Sequence, residues 1–293
     1  MNRFLRTLGL ALVLSGLAAG ARAESILFIG NSFTFGATSA VKRYRPDTVT
    51  DLNGEGIGGV PALFKAFTRQ AGLDYQVSLE TSPGKNFDYH YEQKLAVIDR
   101  PWDVVVMHGY STLDAAAPGN PDNLIKYGTL LNQALIRRNP AVKVYLTATW
   151  SRADLTYLPS GFWYGRSISG MAQDIRDGYD KLKKANPTVR AVLPVGQAWT
   201  RAIMTGVADA DPYDGVAFGQ VNLWGWDQYH ASAAGYYLEA LVVFGGVTGL
   251  DPRSLGDREI SADEIGLSPG QAHALQAVAY DQLVADGKLK PTP

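Results

Sequence analysis

The sequence predicts an α/β fold, one domain built on a central, mostly five-stranded parallel sheet, and three observations lead there. Short apolar runs rich in Val, Ile, Leu and Tyr recur along the chain, stretches of helical periodicity separate them, and no internal repeat or low-complexity linker divides the series. Strand and helix in alternation is the pattern of a parallel sheet with helical crossovers.

The strand candidates are Ser25–Ile29, Tyr75–Leu79, Trp102–Met107, Val142–Thr147 and Arg190–Pro194. Each is a continuous apolar run, as expected of strands buried on both faces. Between them, Asn123–Arg138 sets Leu124, Tyr127, Leu130, Leu131, Ala134 and Leu135 on one helical face and ends before Asn139-Pro140. Similar patterns predict helices over Pro61–Gln70, Tyr89–Ile98, Ser169–Ala185, Ala233–Phe244 and Pro269–Ala285. Three longer connections, Phe35–Gly59, Trp150–Ser167 and Asp209–Asp227, are expected at the carboxyl ends of strands or beside the Asp-His segment, where open α/β sheets bind ligands.

Arg3 and Arg6 precede an apolar stretch from Leu8 to Ala19 and the small-residue exit Ala21-Arg22-Ala23. That is the layout of a secretory signal peptide. The stretch falls short of the ~20 residues a spanning helix needs. The expectation is therefore a signal peptide over 1–23, a domain over 24–293 that is periplasmic or extracellular, and no stable membrane anchor after cleavage.

With 27 basic and 28 acidic residues and a formal charge of −1, the chain lacks the concentrated positive field that nucleic-acid binding requires. It contains no cysteine, which excludes disulfides, thiolate metal sites and a cysteine nucleophile. Hydroxyls, carboxylates and lysines remain. One hydroxyl stands out: the run Ile26–Ile29 ends on Gly30-Asn31-Ser32, so Ser32 is expected just past the carboxyl edge of a strand. Near the other end, Asp227 stands three residues before His230, a spacing that lets a carboxylate reach Nδ1 of the imidazole. Taken alone, Ser32 also suits a helix cap and the Asp-His pair a surface turn. Taken together they supply nucleophile, base and orienting carboxylate for acyl transfer.

Gly30-Asn31-Ser32-Phe33-Thr34 resembles the first block of the SGNH, or GDSL-like, hydrolases, and Asp227-Gln228-Tyr229-His230-Ala231-Ser232 followed by Gly235 resembles their last. The resemblance implies a three-layer α/β/α flavodoxin-like sandwich with Ser32 as nucleophile, His230 as base and Asp227 as its carboxylate. It also implies an oxyanion hole made by the amides of Ser32 and Gly84. The family's third block ends a strand with Gly-x-Asn-Asp, whereas this chain reads Met107-His108-Gly109-Tyr110-Ser111-Thr112. The asparagine is absent, and His108 or Ser111 is expected to replace it, with Asn31 as a further contact near the nucleophile. Losing one oxyanion donor can cost about 2.7–4 kcal/mol.

Trp150, Trp163, Tyr164, Trp224 and Trp226 cluster on the connections around these blocks and are expected to form a substrate wall. Flat aromatic faces suit sugar rings, which favours a carbohydrate ester over a long-chain lipid. Asp209–Gly215 lacks the spacing of a calcium loop, and neither a zinc motif nor a phosphate loop occurs, so no cofactor or metal is expected. The function that follows is a secreted serine esterase that removes O-acetyl or other acyl groups from a glycan through an acyl-enzyme. An O-acyltransferase using the same triad and a non-catalytic carbohydrate-binding protein on a degenerate scaffold are the alternatives.

Overall fold

Parallel pairing of the apolar runs organises the computed structural model, which describes residues 23–291. The expected signal peptide falls almost wholly outside the described residues. Six strands, β1 (Glu24–Gly30), β2 (Thr50–Asp51), β3 (Tyr75–Thr81), β4 (Val104–Met107), β5 (Lys143–Thr147) and β6 (Val189–Leu193), lie in the order β2-β3-β1-β4-β5-β6. All pairs are parallel. The five expected strands occupy the expected places. The sixth, β2, corrects the count: it pairs only Thr50 with Ser78 and Asp51 with Leu79, too short and too polar to leave an apolar run.

Side chains along a strand alternate between faces, and this alternation makes three layers. Ile26 and Phe28 of β1 join one core with α2 (Gly59–Gln70), α7 (Val195–Met204), α8 (Ala233–Thr248) and α10 (Pro269–Ala285). Leu27 and Ile29 face the other, with α3 (Phe87–Ile98), α4 (Asp122–Arg138) and α6 (Ile168–Ala185). Helix α7 is additional to the predicted set. Pro194 and Gly196 at its start read as punctuation, yet Pro194 only precedes the helix and Gly196 is required by packing, since a Cβ there would lie 2.3 Å from the Thr149 carbonyl. Three short α-helices, α1 (Ser32–Phe35), α5 (Ala153–Thr156) and α9 (Ile260–Glu264), and three 3-10 turns, Ala40–Arg43, Pro46–Thr48 and Pro252–Leu255, complete the set among the described residues.

From β1 the chain moves outward on one side to β3 and then returns to the other side for β4. The carboxyl end of β1 is thus the switch point of the sheet, where two connections diverge and leave a crevice. Ser32 begins α1 two residues past that end. Ser32 thus stands just past the carboxyl edge of a strand, where the sequence expected it.

Candidate functional site

Asn31 shapes the turn that presents Ser32. Its Oδ1 accepts the Phe33 amide at 3.1 Å, and its Nδ2 donates to the carbonyls of Lys85 at 3.0 Å and Gly109 at 2.9 Å. One buried side chain therefore caps α1 and ties it to the connections after β3 and β4. This corrects its expected role as a substrate contact, because its amide is already committed. Tyr236 of α8 donates to the carbonyls of Ser32 and Ala37, each at 3.1 Å, and so anchors the Ser32 turn to the helix that follows the Asp-His segment.

That segment is a tight turn. Gln228 adopts a positive φ of 55°, and the Gly225 amide donates to the His230 carbonyl at 2.7 Å. The turn folds Asp227 back on itself: Oδ1 accepts the amides of Tyr229 at 3.1 Å and His230 at 2.9 Å, and Oδ2 accepts Nδ1 of His230 at 2.6 Å. Burial would raise the Asp227 carboxyl, but the bonds from the His230 ring and the two amides outweigh it and hold the group below its ordinary value. With Nδ1–H given to the carboxylate, Nε2 carries the lone pair. Nε2 of His230 is buried and has no hydrogen-bond partner. Phe33, next to Ser32, packs its ring edgewise on His230 at 5.7 Å, which brings the two distant segments together.

The oxyanion candidates separate clearly. The Ser32 amide opens α1, where no intrahelical acceptor exists for it. Gly84 sits exposed at φ +65° in the turn after β3, whose Ser82 amide donates to the Gly30 carbonyl at 3.1 Å. His108 is buried with both ring nitrogens engaged. Its Nδ1–H donates to the Gly109 carbonyl at 3.0 Å, so Nε2 accepts from Thr34 Oγ1 at 2.6 Å. Gly30 makes room for that bond, since a Cβ there would lie 2.2 Å from Thr34 Oγ1. Ser111 differs: its hydroxyl is buried and unpartnered. The expected choice of His108 as donor is corrected by its bonding.

Burial pulls the His108 imidazole down to about 4, against the opposing effect of its Gly109 bond. The unfolded chain would take up this proton near pH 6.5 and the folded one only near pH 4. Stability is therefore lost as pH falls through that window, by about 3 kcal/mol at its lower end. His108→Gln should remove this increment, which urea midpoints at pH 7.5 and pH 4.5 would show. Equal pH dependence in the two proteins would refute it.

The aromatic wall is the largest correction. Trp150 is fully buried, stacked between Phe33 at 4.1 Å and Trp199 at 4.6 Å, with its Nε1 donating to the Tyr229 carbonyl at 3.2 Å. Trp224 donates to the Ser151 carbonyl at 2.9 Å, and Trp163 to Asp174 in the opposite layer at 2.8 Å. Indole rings bury readily once the N–H has a partner, and these three belong to the two cores, Trp150 and Trp224 to one and Trp163 to the other. Tyr164 and Trp226 remain exposed, together with Phe162. A polar cleft of about 410 Å³ opens where the connections after β3 and β4 meet, lined among others by Gly84, Lys85, Tyr89, Tyr110 and Asp114.

Two residues near the site were not singled out by the sequence. The Tyr229 ring packs against His230 with centroids 3.9 Å apart, and the Arg152 guanidinium lies 3.6 Å from the centre of the same ring. Arg152 is itself held by Asp154 at 3.1 and 2.6 Å. The one signal available was the position of Tyr229 between Asp227 and His230. Among the described residues, no cluster of His, Asp and Glu is arranged to hold a metal ion, and no helix is long and apolar enough to cross a membrane.

No family model matches the sequence, and no curated protein matches it. Solved structures do. A DUF4886 family protein from Bacteroides uniformis superposes with a TM-score of 0.61 at 17% identity, over 92% of this chain and 97% of its own. A candidate GDSL-like lipase from Parabacteroides merdae gives 0.55 at 17% identity, over 77% and 95%. A candidate SGNH hydrolase from Slackia heliotrinireducens gives 0.50 at 19% identity, over 76% and 97%. The fold is that of the SGNH hydrolases. In this SGNH fold Ser32 lies at the carboxyl end of β1 and the Asp227-His230 turn leads into α8, so the two blocks that carried the sequence resemblance meet at one edge of the sheet.

Proposed function

We propose that the protein is an exported serine esterase that removes acetyl or similar acyl groups from a carbohydrate. One observation carries the reading: His230 is oriented by Asp227 at 2.6 Å, and its other nitrogen is buried without a partner beside the segment that presents Ser32. Such an imidazole is built to accept a proton. Ser32 Oγ attacks the ester carbonyl and passes its proton to His230 Nε2. The carbonyl electrons move onto oxygen, which the amides of Ser32 and Gly84 receive. Collapse of the intermediate expels the alcohol, which takes the proton from His230. Water, deprotonated by the same nitrogen, then releases the acid and frees Ser32.

The carbohydrate preference is supported by the exposed Trp226 directly before Asp227 and by the polar, tyrosine-bearing cleft at Gly84. Export is supported by the layout of residues 1–23. Incubation with an acetylated xylo-oligosaccharide should release free acetate. Acetate transferred to a second glycan would show a transferase instead, and glycan binding with no turnover of any ester would show a binding protein. Trp226→Ala should raise KM for the oligosaccharide about tenfold, as loss of one stacking face costs roughly 1 kcal/mol or somewhat more. KM for p-nitrophenyl acetate should not change. Equal KM values in both proteins on the oligosaccharide would remove Trp226 from the binding surface.

A further inference from the structure

The gap left by the missing asparagine has a second occupant. Tyr229 is fixed at every level: its amide donates to Asp227 and its carbonyl accepts from Trp150. Its ring has His230 at 3.9 Å and the Arg152 guanidinium at 3.6 Å from its centre. Two groups that close to one ring centre cannot share a face, so the ring is clamped between them. Ser32 and Ser111 both act on its hydroxyl, in the direction of a hydroxyl that donates to the phenol oxygen, and Ser111 Oγ, at the position of the absent asparagine, is buried with its hydrogen-bonding capacity uncommitted elsewhere.

We propose that the Tyr229 hydroxyl is the third oxyanion donor of this enzyme, with Ser111 donating in turn to the Tyr229 oxygen. The inference rests on the esterase reading above. As the Ser32 Oγ–carbon bond forms and the carbonyl electrons move onto oxygen, the phenolic O–H donates to that oxygen and keeps its proton throughout. A tyrosine is suited to this, because its O–H is a strong donor on a rigid ring. The Arg152 cation above the ring draws electron density from the phenol and sharpens the donor. Donation from Ser111 would strengthen it further through a hydrogen-bond chain. The Phe33 ring, 5.5 Å from that of Tyr229, and the Trp150 bond to the Tyr229 carbonyl hold the residue in place.

Tyr229→Phe tests this while keeping the clamped ring. On p-nitrophenyl acetate, kcat should fall about 100-fold with KM within about twofold, the pattern of a bond made only in the transition state. Affinity for a methyl trifluoromethyl ketone, whose adduct with Ser32 carries the same oxyanion, should fall in parallel, whereas a ring that merely packs on His230 would leave it unchanged. Ser111→Ala should cost roughly tenfold in kcat. If Tyr229→Phe keeps kcat within about twofold, or if Ser111→Ala carries the larger loss, the inference is overturned. An unmodified protein with no Ser32-dependent esterase activity would instead overturn the esterase reading on which it stands.

Discussion

Replacing Ser32 with alanine is expected to lower kcat for a small acetyl ester by on the order of 10⁴ to 10⁶-fold, leaving only the residual acceleration that the oxyanion donors and binding supply. The fold should be untouched. The contacts that hold the nucleophile turn use the Ser32 backbone and the Asn31 side chain, all of which survive the change. Loss of the hydroxyl removes only the atom that forms the acyl-enzyme. Initial rates and a urea melt on the same preparation check both halves. Retained activity would remove Ser32 from the chemistry, and an unfolded variant would show that the turn depends on its side chain.

Asp227→Asn should cost roughly 10³ to 10⁴-fold in kcat, and the reason is specific to this turn. Oδ1 of Asp227 receives two backbone amides, from Tyr229 and His230. An asparagine must keep its oxygen there, which turns its NH₂ group toward Nδ1 of His230. That nitrogen must then accept, so the ring proton moves to Nε2, and the base facing Ser32 can no longer take a proton. KM should stay nearly constant because the pocket is unchanged. A loss smaller than about tenfold would show that the carboxylate does not set the tautomer.

Much of this site was legible in the sequence because its parts sit at places where pattern reports position. A buried parallel strand is a run of apolar residues, so the end of β1, and with it Ser32, could be located to within a residue. The Asp227 to His230 spacing encodes a contact across one tight turn, and the bond is there. What failed was burial. Trp150, Trp163 and Trp224 stand on connections that read as irregular, and nothing in their composition tells that each indole N–H has a carbonyl or carboxylate waiting inside the fold. His108 failed for the same reason: its partners are Thr34 and Gly109, and the first meets it only once β1 and β4 lie side by side. Strand β2 and helix α7 were missed because two residues carry no period and because a proline and a glycine, each locally sound as a breaker, are overruled by packing. Tyr229 passed unnoticed between two residues that matched a motif, and its importance comes from the clamp formed by His230 and Arg152.

The central claim is that His230 activates Ser32 as a nucleophile, and the most direct measurement is the intact mass of the protein after exposure to an alkyl fluorophosphonate, followed by peptide mapping. The account predicts a single phosphonyl adduct on Ser32 in the unmodified protein, and labelling slowed by at least 100-fold in His230→Ala. An unmodified protein that gains no adduct, or carries it on another residue, would contradict it.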